Sequence, residues 1–190
     1  LKFPRKSMDI FEGRITSCGF SSGDRIVVGT WRNTPFGSFS DIMWAKPDGS
    51  KVLIAPNEKI ANYISSLYDF DIIKIEDLKI EHSGSMMKVQ TKDLNCHFEW
   101  SKGVSFLIKK RPLWFVASIE YFFGWLIFGT KTYGKTKNGR REWYAVDRLS
   151  KLTLAKAEFK KKNLGEYTKF HPKANFGFSD YFYARNLSLS

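Results

Sequence analysis

Over the first hundred residues apolar and polar side chains alternate, and short turn-forming clusters cut the alternation at close intervals. A period of two belongs to strands, whose successive side chains point to opposite faces, so this half of the chain is predicted to be sheet. Phe11, Gly13 and Ile15 alternate with Glu12, Arg14 and Thr16, which reads as a strand with the second set facing water. Ser21-Ser22-Gly23-Asp24 turns the chain into a second strand from Arg25 to Arg32, and Thr34-Pro35-Phe36-Gly37 breaks that one. Asp41 to Lys46 and Lys51 to Ala55 flank Pro47-Asp48-Gly49-Ser50, a hairpin in which Pro presets the turn and Gly accepts the positive φ.

Between Asn57 and Tyr68 the period changes. Ile60, Tyr63, Ile64 and Leu67 recur at spacings of three and four behind a capping Asn57, which predicts an amphipathic helix over 57–68. Alternation then returns. Leu78, Ile80 and His82 share a face before Ser83-Gly84-Ser85, and Leu94, Cys96, Phe98 and Trp100 share another.

The segment 112–128 is apolar apart from Ser118, Glu120 and two small positions. As a helix it would be about 25 Å long, short of a hydrocarbon core of about 30 Å, and Glu120 near its middle would be costly in lipid. Pro112 at the start and Gly129 past the end suit a helix covering the sheet, with a membrane-interfacial helix as the alternative and a transmembrane span disfavoured. Strands are expected again near Glu142 to Val146 and Leu152 to Phe159. Lys160-Lys161-Lys162 reads as a solvated edge, and beyond Phe170 the chain reads as irregular. One domain is expected over 8–180, with 1–7 an extension ahead of Met8 and 181–190 a C-terminal tail.

Charge is unevenly distributed. Residues 1–100 carry 13 Lys/Arg and 13 Asp/Glu, whereas residues 101–190 carry 18 and 6, so the whole net charge of +12 falls in the second half. That directs attention to an anionic partner. Within it, Lys135-Thr136-Lys137-Asn138-Gly139-Arg140-Arg141-Glu142-Trp143-Tyr144 joins a turn, clustered cations and aromatics. Lys135, Lys137, Arg140 and Arg141 are the candidate anion ligands, with Trp143 and Tyr144 as aromatic partners. The plainer reading is a solvated hairpin in which Arg140 pairs with Glu142.

Trp31, Arg32, Asp41 and Trp44 form a second cluster around the Pro35-Phe36-Gly37 turn, with Arg32 and Asp41 expected to pair and Trp31 and Trp44 to wall an apolar pocket.

Other chemistries have less support. Cys18 and Cys96 are too few for a disulfide framework and lack zinc-site spacing, and Cys96 and His97 would face opposite ways on a strand. Asp69 and Asp71 alone do not make a metal site, so neither a metal nor a cofactor is expected. Phe176-Gly177-Phe178 with Tyr181 thinly resembles an RNA-recognition strand, and covering apolar surface is the simpler role. Lys109-Lys110 beside the apolar segment is the candidate for an enzyme with a lysine nucleophile, since desolvation or a neighbouring cation activates an amine. No phosphate loop, His-Glu-x-x-His motif or nucleophile elbow is present.

At Gly23-Asp24-Arg25-Ile26-Val27-Val28-Gly29-Thr30-Trp31, Asp41-Ile42-Met43-Trp44-Ala45, Asn138-Gly139-Arg140-Arg141-Glu142-Trp143-Tyr144 and Phe176-Gly177-Phe178 the chain resembles a family of bacterial conserved proteins of about this length. The resemblance spans roughly Met8 to Asp180. The family has no assigned activity, so it implies a bacterial cytoplasmic protein and carries over no site residue; the end from Tyr181 to Ser190 departs from its pattern.

The expectation is an α+β, mainly β domain: a curled antiparallel sheet of about eight to ten strands, possibly barrel-like, covered by the 57–68 and 112–128 helices. The functional expectation is a non-catalytic binding module for a small apolar or amphiphilic anion. The pocket would be lined by Trp31, Trp44 and Trp143, with Arg140 and Arg141 at its mouth. The alternatives are a basic patch for nucleic acid or an anionic membrane surface, and the lysine enzyme.

Overall fold

The structure, a computed structural model, describes residues 9–105, 133–135, 141–143, 148–168, 176 and 187–189. The fold is α+β and mainly β. The strands β1 (Glu12–Phe20), β2 (Arg25–Asn33), β3 (Phe39–Ala45) and β4 (Lys51–Ala55) form an antiparallel meander. The helix α1 (Glu58–Leu67) leads to β5 (Ile72–Ile75), which pairs parallel to β4. Then come β6 (Lys79–Ser83), β7 (Met86–Gln90), β8 (Leu94–Trp100), β9 (Val104–Ser105), β10 (Tyr133–Lys135), β11 (Arg141–Trp143) and β12 (Arg148–Phe159). The short strands β13 (Lys162–Asn163), β14 (Tyr167–Thr168) and β15 (Leu187–Leu189) complete the set.

Ten strands lie on the main path, in the order β5-β4-β3-β2-β1-β15-β12-β8-β7-β6; β10 and β11 form a separate hairpin. The sheet curls but does not close into a barrel. Its two ends are β5 and β6, with no ladder between them among the described residues. Only residues 76–78 separate those strands, so the two ends start within about 14 Å of each other. That link carries the chain from one side of the curl to the other instead of extending the ladder.

Packing follows the strand period. Ile26, Val28, Ile42, Trp44, Val52 and Ile54 point inward from β2–β4 and share one core with Met87, Phe98 and Leu152 from β7, β8 and β12. The intervening residues Val27, Met43, Leu53 and Ala55 pack on the other face against Ile60, Ala61, Ile64 and Leu67 of α1, with Phe176 buried beside them. Strands β2–β4 are therefore apolar on both faces, as strands between two layers must be. Each large side chain buried in this way contributes about 1.5–3 kcal/mol.

The 57–68 helix is present as α1. Asn57 has extended backbone angles, and its Oδ1 accepts from the Ile60 N–H at 3.0 Å. It is the one helix among the described residues; the expected 112–128 helix lies outside them, so the two-helix cover reduces here to α1. Among the described residues no helix is long and apolar enough to cross a membrane.

Two sequence expectations change. Thr16 is fully buried, because β1 runs on to Phe20 in the middle of the sheet and the stripe Thr16, Cys18, Phe20 faces the inner core rather than water. The irregular close is interrupted by β15, which pairs with both β1 and β12 and joins the two halves of the sheet. The Lys160-Lys161-Lys162 run is exposed, as expected of a solvated edge, and forms a hairpin corner with Phe159 opposite Lys162.

Candidate functional site

The Trp31 cluster differs from its sequence reading in its pairing. The β2–β3 register sets Gly29 opposite Asp41 and Trp31 opposite Phe39, so Asp41 shares a face with Trp31 and not with Arg32. The partner of Asp41 is accordingly the Trp31 indole, whose Nε1–H donates to Asp41 Oδ1 at 2.7 Å. The glycine between them is required. A Cβ at Gly29 would lie 2.6 Å from both Asp41 Oδ1 and Trp31 Nε1.

Aromatic rings crowd this face: Phe11 packs edge-on to Trp31 at 5.6 Å and stacks on Tyr63 at 5.5 Å. Asp41 itself is only 3% exposed. Burial raises its pKa to about 7 against the opposing pull of the Trp31 hydrogen bond. A carboxyl so covered offers no surface at which a substrate would meet it.

Trp44 belongs to the opposite face, in the core between the two halves of the sheet. Its Nε1–H donates to the buried Asp24 Oδ1 at 2.7 Å. Trp31 and Trp44 therefore do not wall one pocket; an even strand position and an odd one point apart.

In the basic hairpin, β10 and β11 pair with Lys135 opposite Arg141 and Tyr133 opposite Trp143. Lys137, Arg140 and Tyr144 lie outside the described residues, as do Lys109 and Lys110. Cys18 and Cys96 are free thiols in the inner core. Burial, followed for Cys18 by its neighbour Cys96, pushes both thiols up. His97 lies across the strand from Cys96 and meets Glu99 at 2.9 Å.

The cationic site that the described side chains do build is at the other end of the inner stripe. Arg14 lies on the same face of β1 as Thr16 and Cys18 and is half-buried. Its Cζ lies 4.5 Å from the centroid of the Trp100 ring. Trp100 is 6% exposed, and the His82 ring lies 5.3 Å from it.

The strand ladders bring in a second arginine. Ile15 and Leu149 both pair with Leu189, so Arg14 on β1 and Arg148 on β12 stand level with one strand between them, about 10 Å apart along the sheet. Gly103 fixes this corner closely, since a Cβ there would collide with Ser150 Oγ.

The electrostatics agree with the geometry. Burial first, then the guanidiniums of Arg148 and Arg32, push Arg14 below its ordinary value. Burial and then Arg14 hold the His82 imidazole below its ordinary range. Arg14, over the Trp100 ring, is thus the group with which Arg148, Arg32 and His82 each interact.

Comparison with known proteins adds no family. No family profile matches the chain, and no curated protein matches it. A crystal structure of acetoacetate decarboxylase from Legionella pneumophila subsp. pneumophila str. Philadelphia 1 aligns with all of this chain and 90% of that one, at 10% identity and a TM-score of 0.34. Overlap that weak carries no argument about activity.

Sequence reasoning missed Arg14, Trp100, His82 and Arg148. The available signal was parity: followed to Phe20, the Arg14 stripe becomes apolar, which marks Arg14 as the rim of an inward face.

Proposed function

We propose that this protein is a binding module for a small anion, held at the Arg14 end of the curled sheet through a flat oxyanion such as a carboxylate. The supporting observation is the Arg14 guanidinium over Trp100, with Arg148 and Arg32 near enough to act on it. A guanidinium is a planar fork of N–H donors that matches a carboxylate with two parallel bonds, and the indole beneath it holds that fork in place. Arg148 and Arg32 both act on the Arg14 guanidinium, and an anion bound there would interact favourably with all three.

The apolar interior between the two halves is filled by side chains such as Phe98, Ile26 and Leu152. The ligand is therefore small and flat instead of carrying a long acyl chain.

Isothermal titration with benzoate and with decanoate tests this. Benzoate is expected to bind more tightly than decanoate. Arg14→Gln should weaken benzoate binding by about tenfold or more, the loss of roughly one charge-assisted contact, with the melting temperature little changed. Equal benzoate affinity in the two proteins contradicts the proposal.

A further inference from the structure

The opposite end of the sheet carries a second convergence of cations. Along β12 the distance from Arg148 to Phe159 is roughly 36 Å, so the two ends are separate sites. Phe159 ends β12 and packs against Trp44 at 4.9 Å between centroids. Three lysines from three elements surround its ring: the Nζ of Lys160 is 5.5 Å from the centroid, that of Lys46 is 5.7 Å and that of Lys74 is 5.8 Å. Lys46 Nζ also lies 4.9 Å from the Trp44 ring. Because all three ammoniums lie under about 6 Å from a shared centroid, any two are within about 12 Å of each other. Glu76 is a counter-charge to Lys74, with Oε1 3.7 Å from its Nζ, and the Asp48 carboxylate interacts electrostatically with Lys46.

The backbone that presents Lys160 is strained. Phe159 pairs with Lys162, which leaves Lys160 and Lys161 as a two-residue hairpin loop with φ of +50° and +64°. Two consecutive left-handed residues are what such a loop requires, and Asn-Gly meets that requirement with little strain. Lysine at both positions is a poor choice for the turn itself, and retained strain of this kind points to use of the side chains. The Lys160 N–H donates to the Asp93 carbonyl at 2.8 Å, which ties the corner to the β7–β8 turn.

We propose that the Phe159 end is a phosphoryl-binding site, in which the ammoniums of Lys46, Lys74 and Lys160 close on the oxygens of one phosphate group. Ammoniums are compact point charges with three donors each and no planar fork, so three arriving from different directions match a tetrahedral oxyanion better than a flat carboxylate. The phosphoryl group is the shared chemistry of inorganic phosphate and of phosphate esters, and the site recognises it in either. The site does not depend on the Arg14 end.

The Trp44 indole N–H resonance is the local reporter, because Lys46 lies over that ring and the N–H is held by Asp24. Inorganic phosphate and glycerol 3-phosphate are titrated separately into the protein, with chloride at matched ionic strength as the control. A saturating shift of the Trp44 signal with either phosphate and not with chloride is expected, and the arm that saturates first identifies the source. Lys160→Asn removes the ammonium while suiting the left-handed backbone, so it should bind about tenfold more weakly with an unchanged or higher melting temperature. Arg14→Gln should leave this titration unaltered. A Trp44 signal that follows chloride as it follows phosphate, or Lys160→Asn binding as tightly as the parent, overturns the site.

Discussion

Asp41→Asn is expected to remove a pH dependence of stability from this protein. A carboxyl held at a pKa of about 7 in the folded chain, above its value when unfolded, favours the folded state only while protonated. Its contribution is fully present below about pH 4 and is lost as the pH rises through 7, on the order of 4 kcal/mol in total. Asparagine keeps an oxygen for the Trp31 N–H and carries no charge at any pH. Urea unfolding at about pH 5 and about pH 8 should therefore show the variant gaining on the parent by roughly 2 kcal/mol or more at the higher pH. Parallel pH profiles for the two proteins would show that Asp41 does not titrate in this range.

Gly29→Ala should destabilise the fold by about 2–4 kcal/mol, more than an ordinary glycine replacement. The added methyl would lie 2.6 Å from both partners of the Trp31–Asp41 hydrogen bond, and these sit in a β ladder that cannot retreat without breaking its register. A buried carboxyl would then lose its hydrogen bond from the Trp31 indole. Gly37→Ala is the matching control: none of the described residues comes within 4 Å of an added Cβ and its φ of +85° is the obstacle, so about 1 kcal/mol is expected there. Thermal or urea unfolding of the two variants side by side measures the difference, and equal losses would mean that the close approach at Gly29 is not limiting.

What the sequence discloses about this fold depends on how local each determinant is. Leu94, Cys96, Phe98 and Trp100 show their inward face by simple alternation, and Asn57 announces α1 because a cap acts within three residues. The Pro47-Asp48-Gly49-Ser50 turn is equally local, with Gly49 at a φ of +88° and Asp48 Oδ1 accepting from Ser50 N–H at 2.9 Å.

Other features depend on distant partners. Strand β15 is three residues long, too short to show a period, and exists through pairing with β1 and β12. A bulge between Leu152 and Leu154 shifts the inward face of β12 from Ser150 and Leu152 to Ala155 and Ala157, which no fixed period anticipates.

The candidate site was the least legible for the same reason. Arg14, His82, Trp100 and Arg148 come from four strands, and only the curl of the sheet brings them together. The charge excess in the second half drew attention to Lys135–Tyr144, yet Arg14, Arg32, His82 and Trp100 belong to the electrically balanced first half.

The most direct test of anion binding at the Arg14 end is the imidazole titration of His82, followed by NMR with and without benzoate and compared with the other two histidines. In the free protein the His82 midpoint should lie below the ordinary histidine value, because it is partly buried and faces Arg14. Benzoate bound at Arg14 places a negative charge beside the imidazole and should raise that midpoint, and Arg14→Gln should raise it without ligand and abolish the further response. A His82 midpoint that benzoate leaves unmoved while the Arg14 protein is saturated would contradict an anion site at this end of the sheet.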